Sequence, residues 1–344
     1  MKINNFFQTL PMYRALRLLT VGLFIGLSAT SCDDDEVIIP PVTQQNIVQV
    51  AQSNADFSVL VAAVTKADLA TTLSGAGPFT VFAPNNAAFA KLAGGPLDAF
   101  SSVAKINAVT DASQIAALRG VLLYHVLPSN VMASNIATGA STTARPASAS
   151  GVNDNSIYLT KTGSNVFING ATSVVTADIS ASNGTIHAID NVLLPPSQTI
   201  AGIVQSSAAA SPAQFTQLLR ALQRPAAQAL LAAAASNSSN ITVFAPTDAA
   251  FQAALTALNL QNVDQIPDAT LVAILQKHIV SSGRVFSSDL VPGNVATLNG
   301  NVTIAASGTG FTVRGGSGTA ANITPANILA TNGVVHVINQ VLLP

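Results

Sequence analysis

Two stretches decide how this chain is read: TVFAPNNAAF at residues 80–89 and TVFAPTDAAF at residues 242–251. Each opens with a β-branched and aromatic run closed by a proline, which reads as a short strand. Asn85 and Thr247 follow the prolines. Their side-chain oxygens stand where an N-cap accepts from the first free amides of a helix, and Phe89 and Phe251 fall on those helices.

Two further pairs recur in the same order. LYHVL at 123–127 answers QKHIV at 276–280, and NGTIHAIDNVLLP at 183–195 answers NGVVHVINQVLLP at 332–344. A repeat of about 150 residues is far longer than a solenoid unit, so the chain holds two whole domains. The offset between copies shrinks along the chain, so the first copy carries extra residues, expected in loops. Ile115, Leu118, Leu122 and His125 share one face of a predicted helix, as do Leu271, Ile274, Leu275 and His278. Asn183-Gly184 and Asn332-Gly333 are expected to turn the chain through positive φ into closing strands. The expected class is α+β, with domains at 46–196 and 199–344 meeting at Pro195-Pro196-Ser197-Gln198.

Of the 344 residues 49% are hydrophobic and only 8% charged, against about 25% charged in an average soluble domain. Cores are affordable, and the surface must be largely Ala, Ser, Thr, Asn and Gly. A formal net charge of -1 leaves no basic field for a phosphate backbone, so no nucleic-acid partner is expected. The absence of Trp, with three Tyr, weakens a lectin-like reading, which relies on aromatic platforms.

Residues 1–31 read as a signal sequence. Lys2, Arg14 and Arg17 supply the positive end, and LLTVGLFIGLSA at 18–29 is apolar but too short to span a bilayer. It ends at Thr30-Ser31-Cys32, which resembles a bacterial lipobox, although Ala29 stands where Leu is usual. Cys32 is the only cysteine, so it has no disulfide partner within the chain, and lipid attachment gives it a role. Residues 32–45 form an acidic tether and linker. The run Asp33-Asp34-Asp35-Glu36 is either a solvated spacer or a sorting signal, being similar to the acidic stretches that follow the lipidated cysteine of Bacteroidetes surface lipoproteins.

The ordered set TVFAPxxxAF, a helix bearing a histidine, and NGxxHxIxxVLLP resembles the fasciclin domain twice over, across residues 46–344. That resemblance implies a compact β-sandwich wedge with flanking helices, extracellular adhesion and no general catalytic activity. In some animal members it implies a protein contact about a Tyr-His and an Asp-Ile motif. Tyr124, His125, Asp178 and Ile179 match those by position, whereas the second copy has Lys277-His278 and Asn327-Ile328.

All four histidines, His125, His187, His278 and His336, fall at equivalent repeat positions. A zinc site wants three or four ligands, and each domain offers two His, no Cys and no clustered acids, so no metal or cofactor is expected. They are expected instead to be structural, with hydrogen-bond partners for both ring nitrogens. No GxSxG or P-loop is present, and Asp190, three residues beyond His187, is replaced by Asn339 in the second copy. The expectation is a non-catalytic adhesion or matrix-binding lipoprotein, exported, held to the outer membrane through Cys32 and exposed at the surface. Its partner would be a surface protein or polysaccharide. The alternative is a ligand- or glycan-binding accessory lipoprotein of the envelope, and a hydrolase comes third.

Overall fold

The structure is a computed structural model in which residues 44–149, 151–308, 310–324 and 326–344 are described. The expected signal sequence, Cys32 and the acidic run lie outside the described residues.

The first domain opens with α1 (Ile47–Ser53), α2 (Ser58–Lys66) and α3 (Ala70–Ser74). Strand β1 (Phe79–Pro84) leads to α4 (Asn86–Ala90), α5 (Val103–Ala108), α6 (Ala112–Tyr124) and the short β2 (Val126–Leu127). A meander of β3 (Gly139–Thr142), β4 (Ser156–Thr162), β5 (Asn165–Ile168) and β6 (Thr172–Ala181) returns to β7 (Gly184–Ile189). The seven strands form one sheet in the order β2-β1-β7-β6-β5-β4-β3.

At its centre β1 and β7 run parallel, Val81 opposite Ile186 and Phe82 opposite His187. Both faces of this pair are covered, which is why TVFAP is a continuous apolar run without polar alternation. Val81, Ala83, Ile186 and Ala188 face a core built with the helices. Phe82 and Ile189 face a second core with Tyr124, Ile157, Leu159 and Ile168. Strands of the same sheet thus cover one face of the central pair, and helices cover the other.

The second domain repeats the plan with α7 (Ile200–Ala208), α8 (Thr216–Gln223), α9 (Gln228–Ala235), β8 (Ile241–Pro246), α10 (Asp248–Ala257), α11 (Asp268–Lys277) and β9 (Ile279–Val280). Then come β10 (Gly293–Thr297), β11 (Gly300–Ser307), β12 (Gly310–Arg314), β13 (Ala321–Asn322), β14 (Ile328–Ala330) and β15 (Gly333–Ile338). The parallel centre is now β8 with β15, Phe244 opposite His336. Val243, Ala245, Val335 and Val337 join the helical core, and Phe244 and Ile338 the other. Where β6 is one bulged strand, the second domain has β13 and β14 apart, so its strands fall into two four-stranded sheets.

Asn85 and Thr247 cap their helices, accepting from Ala88 N and Ala250 N at 2.8 and 3.2 Å. Two expectations are corrected. The extra residues of the first domain do not all lie in loops: α5 and the turn before it (Asp98–Phe100) occupy the stretch that the second domain spans with a single 3-10 turn, Val263–Gln265. The glycines of the NG motif are required by close approach more than by turn geometry. A Cβ on Gly184 or Gly333 would lie 2.0 Å from the carbonyl oxygen of Phe79 or Ile241, on the neighbouring parallel strand.

The domains meet through few residues. Phe286 packs on Tyr158 with ring centroids 5.5 Å apart, and the Arg284 guanidinium lies 4.8 Å over the same Tyr158 ring. Thr160 Oγ1 donates to Asp289 Oδ1 at 2.6 Å, and Asn327 Nδ2 donates to the Gly170 carbonyl at 3.0 Å.

Candidate functional site

The recurrent polar residues are the candidates, and their surroundings repeat between domains. His125 and His278 end helices α6 and α11. Their Nδ1 atoms donate to the carbonyls of Val121 and Ile274 at 2.7 and 2.8 Å, while Nε2 accepts from Leu193 N and Leu342 N, both at 2.9 Å. His187 and His336 carry the opposite tautomer. Nε2 donates to the carbonyls of Val131 and Val285 at 2.9 and 2.8 Å, and Nδ1 accepts from Asp178 N and Asn327 N, both at 3.2 Å. The tautomers follow from these partners. His187 and His336 also stack on Phe82 and Phe244, at 5.5 and 5.6 Å between centroids.

Burial opposes charge on these rings. It pushes His125 and His278 down to about 4 and lowers His336. All four rings are at most 3% exposed, so neither a substrate nor a metal from solvent reaches a ring nitrogen without displacing a backbone partner.

The residues that differ between copies do the same work. Tyr124 is fully buried and its hydroxyl donates to the Ser156 carbonyl at 2.8 Å; burial raises its pKa far above the ordinary phenol value. Lys277, in its place, is 6% exposed, and its Nζ donates to the Asn299 carbonyl at 3.0 Å, beside the start of β11. Asp178 and Asn327 both adopt left-handed backbone, φ 59° and 63°, which short polar side chains tolerate best. Asp178 Oδ1 accepts from Ala133 N at 2.8 Å and Asn327 Oδ1 from Ser287 N at 2.7 Å. Asp190 does not touch His187: its Oδ1 accepts from Ser173 N at 2.8 Å, and Asn339 Oδ1 accepts from Asn322 N at 2.7 Å. An oxygen acceptor is all either position needs, and Asp and Asn both supply it.

The four residues matched to a protein contact are therefore split. Tyr124 and His125 are interior and do not form part of a contact surface, because their polar atoms are bonded to the backbone inside the core. Asp178 is exposed and Ile179 half-buried beside it. A contact surface in this region has to be built from Asp178 and its neighbours alone.

Two pairs of polar residues have roles that the sequence did not show, since the Asn-Gly asparagines read there only as turn residues. Asn183 Oδ1 accepts from Ile47 N, and its Nδ2 donates to the carbonyls of Leu73 and Gly75. Asn332 repeats this with Ile200 N, Ala234 and Ser236. Each asparagine ties the helical layer to the last strand. Thr80 Oγ1 donates to the Ser129 carbonyl and accepts from Val131 N, and Thr242 does so with Gly283 and Val285. Their recurrence inside the motifs was the available signal. Among the described residues, no group of three or more His, Cys, Asp or Glu is placed to hold a metal.

The fasciclin domain family matches residues 55–195 and again residues 213–344. Protein sll1483 of Synechocystis sp. is 41% identical over 150 residues, which is 44% of this chain and 73% of that protein. The transforming growth factor-beta-induced protein ig-h3 of Oryctolagus cuniculus is 28% identical over 273 residues, 79% of this chain and 35% of that protein. Among solved structures, a FAS1 domain pair from the insect cell adhesion molecule Fasciclin I aligns with 86% of this chain and 96% of its own, at 18% identity and a TM-score of 0.38.

Proposed function

We propose that this chain, which belongs to the fasciclin domain family through two domains in tandem, is a non-catalytic surface lipoprotein. Its domains act by adhesion or by binding a matrix or surface partner, a protein or a polysaccharide. The observation that carries the reading is the inward direction of the recurrent polar groups. Every histidine has both ring nitrogens bonded to backbone, which leaves none as a general base or ligand in the folded state. Recognition then falls to the outer surfaces, where Met132 and Asp178 of the first domain are exposed.

Export and anchoring rest on the N-terminal sequence: a positive end, a short apolar stretch and a cysteine with no partner in its chain. Two or more acyl chains on Cys32 hold a protein firmly, at about 0.8 kcal/mol per buried methylene. Many tethered copies give avidity to weak individual contacts. Cys32→Ser is expected to end acyl labelling and move the protein from the membrane to the soluble fraction; retention of both would refute the anchor.

A cleft of about 560 Å³ whose lining includes Asn169, Leu194, Gln198 and Leu329 favours one second reading, capture of a small molecule or glycan at the domain junction.

A further inference from the structure

One face occurs in both domains, covered in one and open in the other. In the second domain Phe286, Ser287 and Asn327 lie against Gly170 of the first. A Cβ at Gly170 would stand 2.5 Å from Phe286 Cβ and 2.9 Å from Asn327 Oδ1. The counterparts in the first domain are Met132, Ala133 and Asp178. Three features fix that correspondence: the ring bonds of His187 and His336 to Val131 and Val285, the left-handed Asp178 and Asn327, and their bonds to the turns at Ala133–Asn135 and Ser287–Asp289. Phe286 is 2% exposed, whereas Met132 is 39% exposed. The first domain therefore offers to solvent the surface that its twin uses for docking.

The chemistry of the face selects its partner. Asn327 Nδ2 donates to Gly170; the Asp178 carboxylate only accepts, so whatever covers it has to bring a donor. Lys161, which borders the face, donates its Nζ to the carbonyls of Ala133 and Ser134. Phe286 and Asp289 dock on Tyr158 and Thr160 of the β4–β5 pair. Its counterpart in the second domain is the β11–β12 pair, where Ile304 opposite Val313 repeats Leu159 opposite Ile168 and Thr303 and Ala305 replace Tyr158 and Thr160. Directly after Val313 stands Arg314, in the place of Asn169, and it is exposed.

We propose that the first domain of one chain docks through Met132, Ala133 and Asp178 on the β11–β12 face of a second copy, pairing Asp178 with Arg314, so that copies join head to tail. The two surfaces differ, so the contact is heterologous and leaves one free face of each kind at the ends of a row. Gly315, in the place of Gly170, lies beneath Leu343, whose carbonyl oxygen would be 2.2 Å from a Cβ there. The anchor is accordingly the Arg314 side chain and not a glycine carbonyl. The proposal rests on the adhesive reading for its purpose, by naming the partner; its chemistry is read in solution, apart from any attachment to cells.

The test is sedimentation velocity of the full chain carrying Cys32→Ser, over rising concentration. The sedimentation coefficient is expected to climb with concentration and to climb less in high salt. Arg314→Asp is expected to weaken association by about tenfold or more, through like-charge repulsion. Asp178→Asn, which keeps the backbone as Asn327 does, is expected to weaken it by about threefold. A flat coefficient for the parent chain, or a climb unchanged by Arg314→Asp, would overturn the proposal.

Discussion

His125 gives one proton to Val121 and takes one from Leu193, so the neutral ring satisfies both partners and a charged ring cannot. His278 repeats the arrangement. This fixes the sign of a pH effect. In the unfolded chain a histidine titrates near pH 6.5, whereas burial holds these two at about 4. Between those values the unfolded chain binds protons that the folded chain does not. Stability is therefore full above about pH 6.5, falls as the pH drops, and loses nothing more from these rings below about pH 4. The loss is on the order of 3 kcal/mol for each ring. Urea denaturation at pH 7, 5.5 and 4 measures it, and an unchanged midpoint across that range would contradict the buried neutral tautomers.

At the level of elements, the central strands were legible as strands because burial on both faces leaves a run of Val, Phe, Ala and Ile that no turn residue interrupts, whereas their parallel pairing was not. Asn85 and Thr247 were legible because an N-cap is a local device. Tyr124 and Lys277 were not legible as equivalents. Their common acceptor is a backbone carbonyl at the start of a distant strand, and sequence does not display carbonyls. For the same reason Asp190 invited a pairing with His187, while its true partner is the amide of Ser173. The NG motif was legible as a position for glycine, but the cause was hidden, because close approach to Phe79 or Ile241 arises only when β7 or β15 lies beside β1 or β8. That cause makes a prediction. In Gly333→Ala the new Cβ meets the Ile241 carbonyl at 2.0 Å and Ile200 Cδ1 at 2.8 Å, so the β8–β15 pair and the α7 contact have to separate. The expected loss is about 3 kcal/mol or more, confined to the second domain. Denaturation followed by hydrogen exchange in each domain reads this, and equal protection in the parent and Gly333→Ala would contradict it.

Over the whole molecule, the repeat keeps the polar bonds of its motifs, apart from the buried exchange of Tyr124 for Lys277, and differs most at the face around Met132 and Asp178. Histidines, threonines and asparagines inside the motifs make the same bonds twice, whereas Met132 against Phe286, and Asp178 against Asn327, separate an open face from a docked one. Only 8% of the residues are charged and the net charge is -1, so composition shows no basic field and singles out no partner. The most direct test of the adhesive account is attachment of the source cells after the gene is deleted and then restored, with surface labelling of the restored protein. The account predicts that aggregation and attachment fall on deletion, return with the full chain, and do not return with Cys32→Ser. Unchanged attachment on deletion, together with loss of growth on a single carbohydrate, would contradict it and favour capture of a ligand at the domain junction.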